Sequence, residues 1–567
     1  MVNHELDTPT PKMDWHILIF LFLLAWAVRF IGLDWGYFHG DERVNQAAKV
    51  LAGQLVPDQH FYPPLMHYIA AVLYGGLYVV GNILDWWPNT GAFRAQYFED
   101  PTIFYLTARA LTGAIAALMT PLFYRIGRVL AFGKIESFVI AAFAGLAPIS
   151  VLLSYIFKGD LGVATATVWI ILLMIRKTQS PGLLRLDYLI GVGVCLALSF
   201  KHSAILLLVP FAITFVIVVG SKHDLKSGLS ALTRIVGTTL LLWPFLNIGI
   251  LLDLEGFIRF QQIQKVMSVS ENGNIVDAVA KMVQTAASWH IGQGILMPIA
   301  FLLFPVLASR IEQRAMLLGI WAATVAALLL LAAIVGLRQP EQLWIAHFMV
   351  MQLFATISLI CIFRRSSTVG AVIIAAALAI SLFGDISIWR QALAQPISHD
   401  LADRIEMNYP ERKIAVNIAL PLQKSPASMD FEAERVQRIA DKYGVTMPEQ
   451  AEERIEHANN RKSYDYVGLP MVMYGLENST DEELNGKVEP FAWPPQAEDW
   501  QLQTWLDQGF SMFMIQDLDS WLFHDAAPVM KPLFVELSER CEEIEVVPAR
   551  KPLFLERDVT ILDCDGA

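Results

Sequence analysis

Charged residues are scarce in this chain of 567 residues, of which 17% are charged and 55% are hydrophobic. The mean hydropathy is +0.46, which is too apolar for an ordinary soluble protein of this length. The excess of apolar side chains must therefore face lipid. Neither half of the chain has the basic character of a protein that binds nucleic acid, so no nucleic-acid partner is expected.

Cysteine is also scarce, with four in the whole chain, and their spacing matches no metal site. Cys195 and Cys361 lie in apolar segments, while Cys541 and Cys564 lie in the C-terminal part. The last two fall in runs typical of neighbouring strands, and they would pair in an oxidising compartment; two free thiols are the alternative. The C-terminal part also lacks a Gly-rich phosphate loop, a nucleophile elbow and a His cluster, so it shows no catalytic motif.

The few charges are divided unevenly along the chain. Before residue 395 there are 26 Lys and Arg against 21 Asp and Glu, and after it there are 16 against 33. An acidic segment of that kind would not partition into a bilayer. The sequence therefore predicts a tail over 1–14, a membrane domain over 15–390 and a separate soluble domain over 391–567.

Apolar runs that could cross a hydrocarbon core of about 30 Å, which takes about 20 residues each, recur along the membrane domain. About eleven are predicted, near 15–34, 102–122, 137–156, 161–176, 187–200, 203–221, 233–252, 291–309, 315–337, 342–363 and 369–387. Two further runs, 42–53 and 64–84, are predicted to be helices that lie at the outer interface or dip into it.

Lys and Arg are concentrated in alternate loops between the predicted spans, as Arg128, Arg176 and Arg365 illustrate. Such loops stay in the cytoplasm, which sets the orientation. The N-terminal tail is then cytoplasmic. The loops 35–101 and 253–290, and everything after residue 390, lie outside.

The C-terminal domain alternates between two kinds of run. KIAVNIALP, FSMFMIQ and IEVVPA are typical of strands, whereas DFEAERVQRIADKYG and MPEQAEERIEHANN are typical of helices with acidic, solvated faces. This alternation predicts a compact α/β unit. The expected fold class is a polytopic α-helical membrane protein with about 11 transmembrane helices and a C-terminal extracytoplasmic α/β domain.

The segment FHGDERVNQAAKVLAGQLVPDQHFYPPLMHYIA begins where the first predicted span emerges on the outer side. It holds two neighbouring acids, Asp41 and Glu42, at the membrane surface, followed by His60 and Tyr62. In one interpretation Asp41 caps the helix that starts at Glu42, and both carboxylates are solvated. In the other, the acids serve acid–base chemistry at the membrane surface.

This segment resembles the first external loop of the GT-C membrane glycosyltransferases, because a span ends in Gly-Asp-Glu and Tyr-Pro-Pro-Leu opens a later helix. The most similar branch contains the protein O-mannosyltransferases and the lipid A aminoarabinose transferases. The same organisation continues over about residues 15–390 with Ala108-Arg109-Ala110-Leu111, Pro148, Asp160 and Phe200-Lys201-His202.

The resemblance implies an inverting glycosyltransferase that uses a polyprenyl-phosphate-linked sugar donor and a hydroxyl acceptor, which is a lipid, a glycan or a protein. It also implies membrane lipid as surroundings and favours a bacterial inner membrane, with the C-terminal domain in the periplasm or outside the cell. By position Asp41 would be the catalytic base, and Glu42 would orient the acceptor or tune Asp41. Arg43 and Lys158-Gly159 depart from the family pattern, so the donor or acceptor would be unusual.

The lipid phosphate of such a donor needs cations or a metal at the outer surface. Lys201 lies in a strongly apolar context, where a charge is costly unless it lines a site. The candidate phosphate-binding residues are Lys201, Lys158, His202 and Arg109.

Three further residues are candidates for supporting roles. Asp160 would pair with Lys158, bind a divalent metal or cap the helix that follows it. His60 and Tyr62 would support the site. No cofactor is predicted with a ligand set of its own, and the identity of any metal is left open.

Two other functions also need many spans: a membrane transporter, and another lipid-linked polysaccharide transferase or ligase. Transporters commonly place polar groups at the bilayer midplane, whereas the notable charges here lie at the outer ends of spans. The early Asp-Glu followed by Tyr-Pro-Pro favours the polyprenyl-phosphate-sugar transferase over the ligase.

Overall fold

A computed structural model describes residues 14–36, 41–57, 60–222, 224–268, 274–290, 292–337, 339–444, 462–470, 496–523 and 529–566. The first part is helical throughout. Its helices are α1 (Trp15–Ala27), α2 (Val44–Leu51), α3 (Leu65–Ile83), α4 (Thr90–Glu99), α5 (Thr102–Ala117), α6 (Met119–Val129), α7 (Lys134–Gly145), α8 (Pro148–Leu153), α9 (Asp160–Gln179), α10 (Leu184–Phe200), α11 (Ile205–Lys222), α12 (Leu225–Leu246), α13 (Ile248–Leu252), α14 (Leu254–Ser268), α15 (Ile275–Ala287), α16 (Leu296–Leu307), α17 (Arg314–Val335), α18 (Ile345–Arg365) and α19 (Ser367–Ala392).

The C-terminal part adds five helices and five strands within the described residues. The helices are α20 (Ile397–Asn408), α21 (Pro426–Tyr443), α22 (Leu502–Leu506), α23 (Leu518–Phe523) and α24 (Lys531–Arg540). The strands are β1 (Ile414–Val416), β2 (Tyr466–Gly468), β3 (Met512–Gln516), β4 (Glu542–Val547) and β5 (Val559–Asp563).

Among the described residues, eight helices are long and apolar enough to cross a membrane, or nine if the bent pair α7 and α8 is counted as one span. Two shorter apolar helices, Trp15–Phe30 and Leu296–Leu307, coincide with the spans predicted near 15–34 and 291–309. The polytopic helical fold class is confirmed.

Two helices differ from the sequence-based interpretation. Helix α3 was expected at the interface, yet its 19 residues give it the length and hydropathy of a span. Helix α10, expected as a span, has 17 residues, which is at the lower end of the usual range, and it is not among the eight helices counted above. A hydropathy pattern fixes where apolar helices are, but the neighbours that each helix contacts decide how much of it lipid must cover.

A proline explains why the span predicted at 137–156 is bent. Helices α7 and α8 meet at an angle of 47°, and Pro148 occupies the first turn of α8. Proline has no backbone N–H and favours a helix start, so it ends one helix and begins another.

Helix α18 lies at the centre of the bundle. Of the residues in its most apolar stretch of 18, 94% are buried. In the corresponding stretch of α12, at the periphery, 17% are buried. A helix that is apolar all round belongs inside a bundle, and α18 fits this rule. Helix α9 packs against α18 and is itself 83% buried, so this central packing fixes the position of Asp160 at the start of α9.

The C-terminal strands form one mixed sheet in the order β2-β1-β3-β5-β4. Strands β2, β1 and β3 are parallel, and β5 and β4 continue the sheet in antiparallel pairs. Helix α21 connects β1 to β2, as parallel neighbours require. The expected α/β domain is confirmed, while the predicted helix MPEQAEERIEHANN lies outside the described residues.

A disulfide joins Cys541 to Cys564 across the ends of β4 and β5. The neighbouring residues Glu542 and Asp563 are paired in the sheet, which brings the two sulfur atoms together. Of the two alternatives left open by the sequence, the structure has the disulfide.

Residues 551–556, here called the docking segment, connect the C-terminal domain to the membrane domain through an aromatic cluster. The ring of Phe554 stacks on Trp35 with 5.0 Å between centroids. It also meets the Tyr155 ring edge-on at 5.5 Å. Aromatic pairs of this geometry stabilise contacts beyond their buried area, so Phe554 is the apolar anchor of the docking segment.

Polar contacts complete this anchor. The amine of Lys551 donates to the carbonyl oxygen of Ala392 at 2.8 Å, at the end of α19. A carboxylate oxygen of Glu556 accepts a hydrogen bond from the backbone N–H of Ile397 at 3.0 Å. Burial lowers the pKa of Lys551 to about 8, opposed by the charge of Glu556. The two domains are therefore joined on both sides of the short connection between α19 and α20.

Replacement of Phe554 by Ala should loosen the domain contact, because truncating a buried Phe destabilises by about 3–5 kcal/mol. Thermolysin cleavage at the exposed Leu393 in the connection, followed by mass spectrometry, should become faster. Phe431→Ala is the matched control, since Phe431 packs on Trp505 and Phe510 inside the C-terminal domain. Equal cleavage rates in both variants and the wild type would contradict the anchoring role of Phe554.

Candidate functional site

Glu42 is buried and forms a two-pronged ion pair with Arg109 of α5. The guanidinium donates from Nε to Oε1 at 2.9 Å and from Nη2 to Oε2 at 2.8 Å. The backbone N–H of Phe157 also donates to Glu42 Oε1, at 3.0 Å. This carboxylate therefore holds together the first loop, α5 and the segment that leads into α9.

Arg109 also contacts residues other than Glu42. Its guanidinium lies over the Trp35 ring, 5.0 Å from the centroid, and donates to the carbonyl oxygen of Leu33 at 3.2 Å. The Arg109 side chain is 1% exposed. Arg109 was a candidate for binding phosphate, but its geometry is that of a residue beneath the site that holds Glu42 in place.

Two glycines, one just before α9 and one in its first turn, allow the start of α9 to approach the end of α10. A Cβ atom on Gly159 would overlap the carbonyl oxygen of Phe200, and one on Gly162 would overlap the Phe200 ring. Only glycine permits such close backbone contact. The approach sets Lys158 and Asp160, which flank Gly159, beside Lys201, which follows Phe200.

Two ion pairs result from this arrangement. The amine of Lys158 pairs with Asp41 Oδ2, and the amine of Lys201 lies 2.5 Å from Asp160 Oδ1. The side chains of Lys158 and Asp160 are each 4% exposed, whereas Asp41 is 34% exposed. Four residues singled out in the sequence thus meet at one end of the bundle, with Asp41 as the carboxylate most open to solvent.

Tyr62 lies beside both pairs. Burial raises the pKa of its phenol well above the ordinary value, and the charges of Asp41 and Asp160 raise it further. The hydroxyl therefore stays protonated at any physiological pH, and it can donate a hydrogen bond. Tyr62 is a neutral donor within a group of charged residues.

Two histidines lie next to this group. His60 Nε2 is 2.7 Å from Asp253 Oδ2, and this hydrogen bond holds the pKa of Asp253 below its usual value. The ring of Phe257 in α14 contacts both His60 and His202, edge-on. His60 thus connects the first loop to α14, at the start of the predicted loop 253–290, and His202 connects the turn between α10 and α11 to the same helix.

The part of the chain that the structure describes contains no group of three or more His, Cys, Asp or Glu side chains that could hold a metal ion. Asp160 Oδ2 is buried and has no hydrogen-bond partner among the described residues. One carboxylate oxygen beside a lysine does not make a metal site, so no ligand set is assigned to a metal.

A second group of ionisable residues was missed in the sequence. Asp385 in α19 is buried with both carboxylate oxygens lacking a hydrogen-bond partner among the described residues. It interacts electrostatically with Arg29, whose Nη2 donates to Ser150 Oγ at 3.0 Å. Arg29 and Asp385 both lie inside predicted spans. An ionisable residue within an apolar span is unusual, and this signal in the sequence could have identified both of them.

The fold and the charged group define a class: a polytopic membrane protein in which paired charged side chains meet at one end of its helices, next to a C-terminal α/β domain. No family model matches the chain, and no curated protein matches it. Solved structures that are similar were found.

The chain is similar to ArnT from Cupriavidus metallidurans in the apo state, with 14% identity, 97% of this chain and 98% of that chain covered, and a TM-score of 0.48. It is also similar to the oligosaccharyltransferase AglB from Archaeoglobus fulgidus, solved with an inhibitory peptide and a dolichol-phosphate (10% identity, 92% and 72% covered, TM-score 0.46). The arabinofuranosyltransferase AftD from Mycobacteria is a third (12% identity, 98% and 40% covered, TM-score 0.44).

The three proteins are each 14% or less identical to this chain, and each TM-score is below 0.5. At these identities and TM-scores nothing transfers from them to individual residues. The function of the chain must be inferred from its own side chains.

Replacing Glu42 by Gln should lower the free energy of unfolding by about 3–5 kcal/mol, because Arg109 would keep a buried charge without a counter-charge. Thermal unfolding in detergent would measure the change. Glu136→Gln, which breaks the more exposed pair with Arg364, should change stability by less than about 1 kcal/mol. A Glu42→Gln variant as stable as the wild type yet inactive would instead indicate a direct catalytic role for Glu42.

Proposed function

We propose that the chain is an inverting glycosyltransferase that moves a monosaccharide from a polyprenyl-phosphate donor to a hydroxyl acceptor on the outer face of the membrane. One observation carries the proposal. Asp41, Asp160, Lys158 and Lys201 meet beside Tyr62 at one end of a membrane bundle. A carboxylate, two lysines and a neutral donor supply what such a transfer needs: a base, cations for a phosphate and a hydrogen bond.

Asp41 is the better base of the two neighbouring acids. Both oxygens of Glu42 accept hydrogen bonds from Arg109 in a buried pair. Asp41 is the more exposed carboxylate, so an acceptor hydroxyl can reach it. Glu42 is then a positioning residue that fixes the loop on which Asp41 lies.

The proposed reaction is a single displacement. The acceptor hydroxyl oxygen attacks the anomeric carbon, its proton passes to Asp41, and the bond between that carbon and the phosphate oxygen breaks. Polyprenyl phosphate leaves with the bonding electron pair. One displacement inverts the anomeric centre, whereas retention needs an enzyme nucleophile and two steps.

The cations have a defined task in this scheme. Negative charge builds on the phosphate oxygens as the sugar leaves, and fixed positive charges stabilise it. Lys158 and Lys201 are assigned to the phosphate, with the Tyr62 hydroxyl as an additional donor. Asp160 holds Lys201, while His60 and His202 shape the rim of the site where Phe257 contacts them.

The lipid carrier explains why the site belongs to a membrane protein, since its polyprenyl tail must enter from the bilayer. The proposed location is a bacterial inner membrane, with the N-terminus in the cytoplasm and the C-terminal domain outside. The disulfide between Cys541 and Cys564 supports an oxidising compartment for that domain. For a transporter, by contrast, the charged groups would be expected along a pathway near the midplane.

Replacing Asp41 by Asn should slow transfer by about 10²–10⁴-fold, the usual contribution of a positioned general base. The purified protein in nanodiscs would be given polyprenyl-phosphate sugars extracted from bacterial membranes together with total membrane lipid. Release of polyprenyl phosphate would be followed by mass spectrometry. Glu136→Gln, which breaks a different ion pair, with Arg364, should leave the rate unchanged.

An Asp41→Asn variant that transfers as fast as the wild type would remove Asp41 from the chemistry. Absence of turnover by the wild type with every extracted donor, combined with absence of polyprenyl phosphate binding, would contradict the proposed function itself.

A further inference from the structure

Both lysines assigned to the donor phosphate already have a carboxylate partner. Lys158 pairs with Asp41, and Lys201 pairs with Asp160. Each of the two amines is therefore already bound to an anion, and a phosphate that binds one of them competes with its carboxylate. If the phosphate binds these lysines as in the proposed function, on which this inference depends, at least one of the two pairs must rearrange.

We propose that the donor phosphate takes Lys158 from Asp41, so that the catalytic base is released only when the donor is bound. No covalent bond changes in this step. The amine of Lys158 exchanges one anionic partner for another, and the Asp41 carboxylate turns from the lysine to the acceptor hydroxyl.

The burial of the four side chains indicates which pair exchanges. Asp160 is 4% exposed, so removing Lys201 from it would leave a carboxylate buried without a counter-charge, which is strongly unfavourable. Asp41 is 34% exposed, and water or an acceptor can take the place of its lysine. The Lys158–Asp41 pair is therefore the one that opens.

Lys158 itself needs a counter-charge in every state, because its side chain is 4% exposed and an unpaired buried ammonium is costly. Only a second anion can replace Asp41 without leaving the lysine alone. The lipid phosphate is that anion in the proposed reaction.

The exchange also determines when Asp41 can act as a base. While paired with Lys158, Asp41 is a poor proton acceptor, because the adjacent cation stabilises its ionised form. When the phosphate occupies Lys158, this effect is removed, and the negative charge of the phosphate favours proton uptake by Asp41.

The test uses binding rather than turnover. Replacing Asp41 by Asn ends the competition for Lys158, so geranylgeranyl phosphate should bind about tenfold more tightly than to the wild type, while transfer is slowed as the proposed function requires. The full-length protein in detergent would be titrated with this lipid, and tryptophan fluorescence and thermal stabilisation would report the dissociation constant. Asp41→Ser serves as a second variant if Asp41→Asn folds poorly.

Two further variants separate this exchange from a general change of the site. Lys158→Met should weaken binding of the lipid, and adding Asp41→Asn to Lys158→Met should give no tightening. Glu136→Gln, which also removes a carboxylate from a cation but pairs with Arg364 elsewhere, should leave the dissociation constant unchanged.

Unchanged or weaker binding by both Asp41 variants would overturn the exchange, even if transfer were lost as the proposed function requires. Tightening that persists without Lys158 would overturn it as well. A wild type that does not bind geranylgeranyl phosphate at all would overturn the proposed function, and the exchange with it.

Discussion

The buried pair of Glu42 and Arg109 is the interaction on which the rest of the site depends. In a membrane domain neither charge could be tolerated alone, since desolvating an unpaired ion is strongly unfavourable. Together they fix the loop after α1 to α5, and the N–H of Phe157 adds the segment before α9 to the same carboxylate. Asp41 is the residue next to Glu42, so the pair of Glu42 with Arg109 also fixes the position of Asp41.

The C-terminal domain reaches the same arginine from the other side. Phe554 stacks on Trp35, and Trp35 lies beneath the guanidinium of Arg109. The loop with Asp41 therefore rests on a layer to which both domains contribute. This arrangement gives the α/β domain a role in holding the first loop, even though its own sequence shows no catalytic motif. Because Lys551 and Glu556 add polar contacts around the short connection, the two domains meet as a defined interface.

Much of this architecture could be predicted from sequence, because hydropathy and alternation depend on neighbouring residues along the chain. The apolar helices and the C-terminal strands were found in that way. Asp41, Asp160, Lys158 and Lys201 were instead singled out through the family resemblance, and the structure brings them together in two ion pairs. The side chains that these residues contact in the fold could not be predicted in this way. Arg109 was a candidate for binding phosphate, and in the fold its guanidinium pairs with Glu42. Nothing in a linear pattern connects positions 42 and 109. The contact of Phe554 with Trp35 joins residues more than 500 positions apart, which local periodicity cannot anticipate.

The glycines beside Lys158 show why residue type and geometry must be considered together. Lys158-Gly159 appeared in the sequence as a departure from a family pattern, with no indication of its purpose. In the fold, Gly159 and Gly162 remove the side chains that would keep α9 away from the end of α10. The same absence of a Cβ atom that permits the approach brings Asp160 to Lys201 and leaves Lys158 facing Asp41. Both ion pairs therefore depend on the close backbone contact with Phe200. A bulkier residue at position 159 would push α9 away from α10 and would separate the charged side chains from their partners.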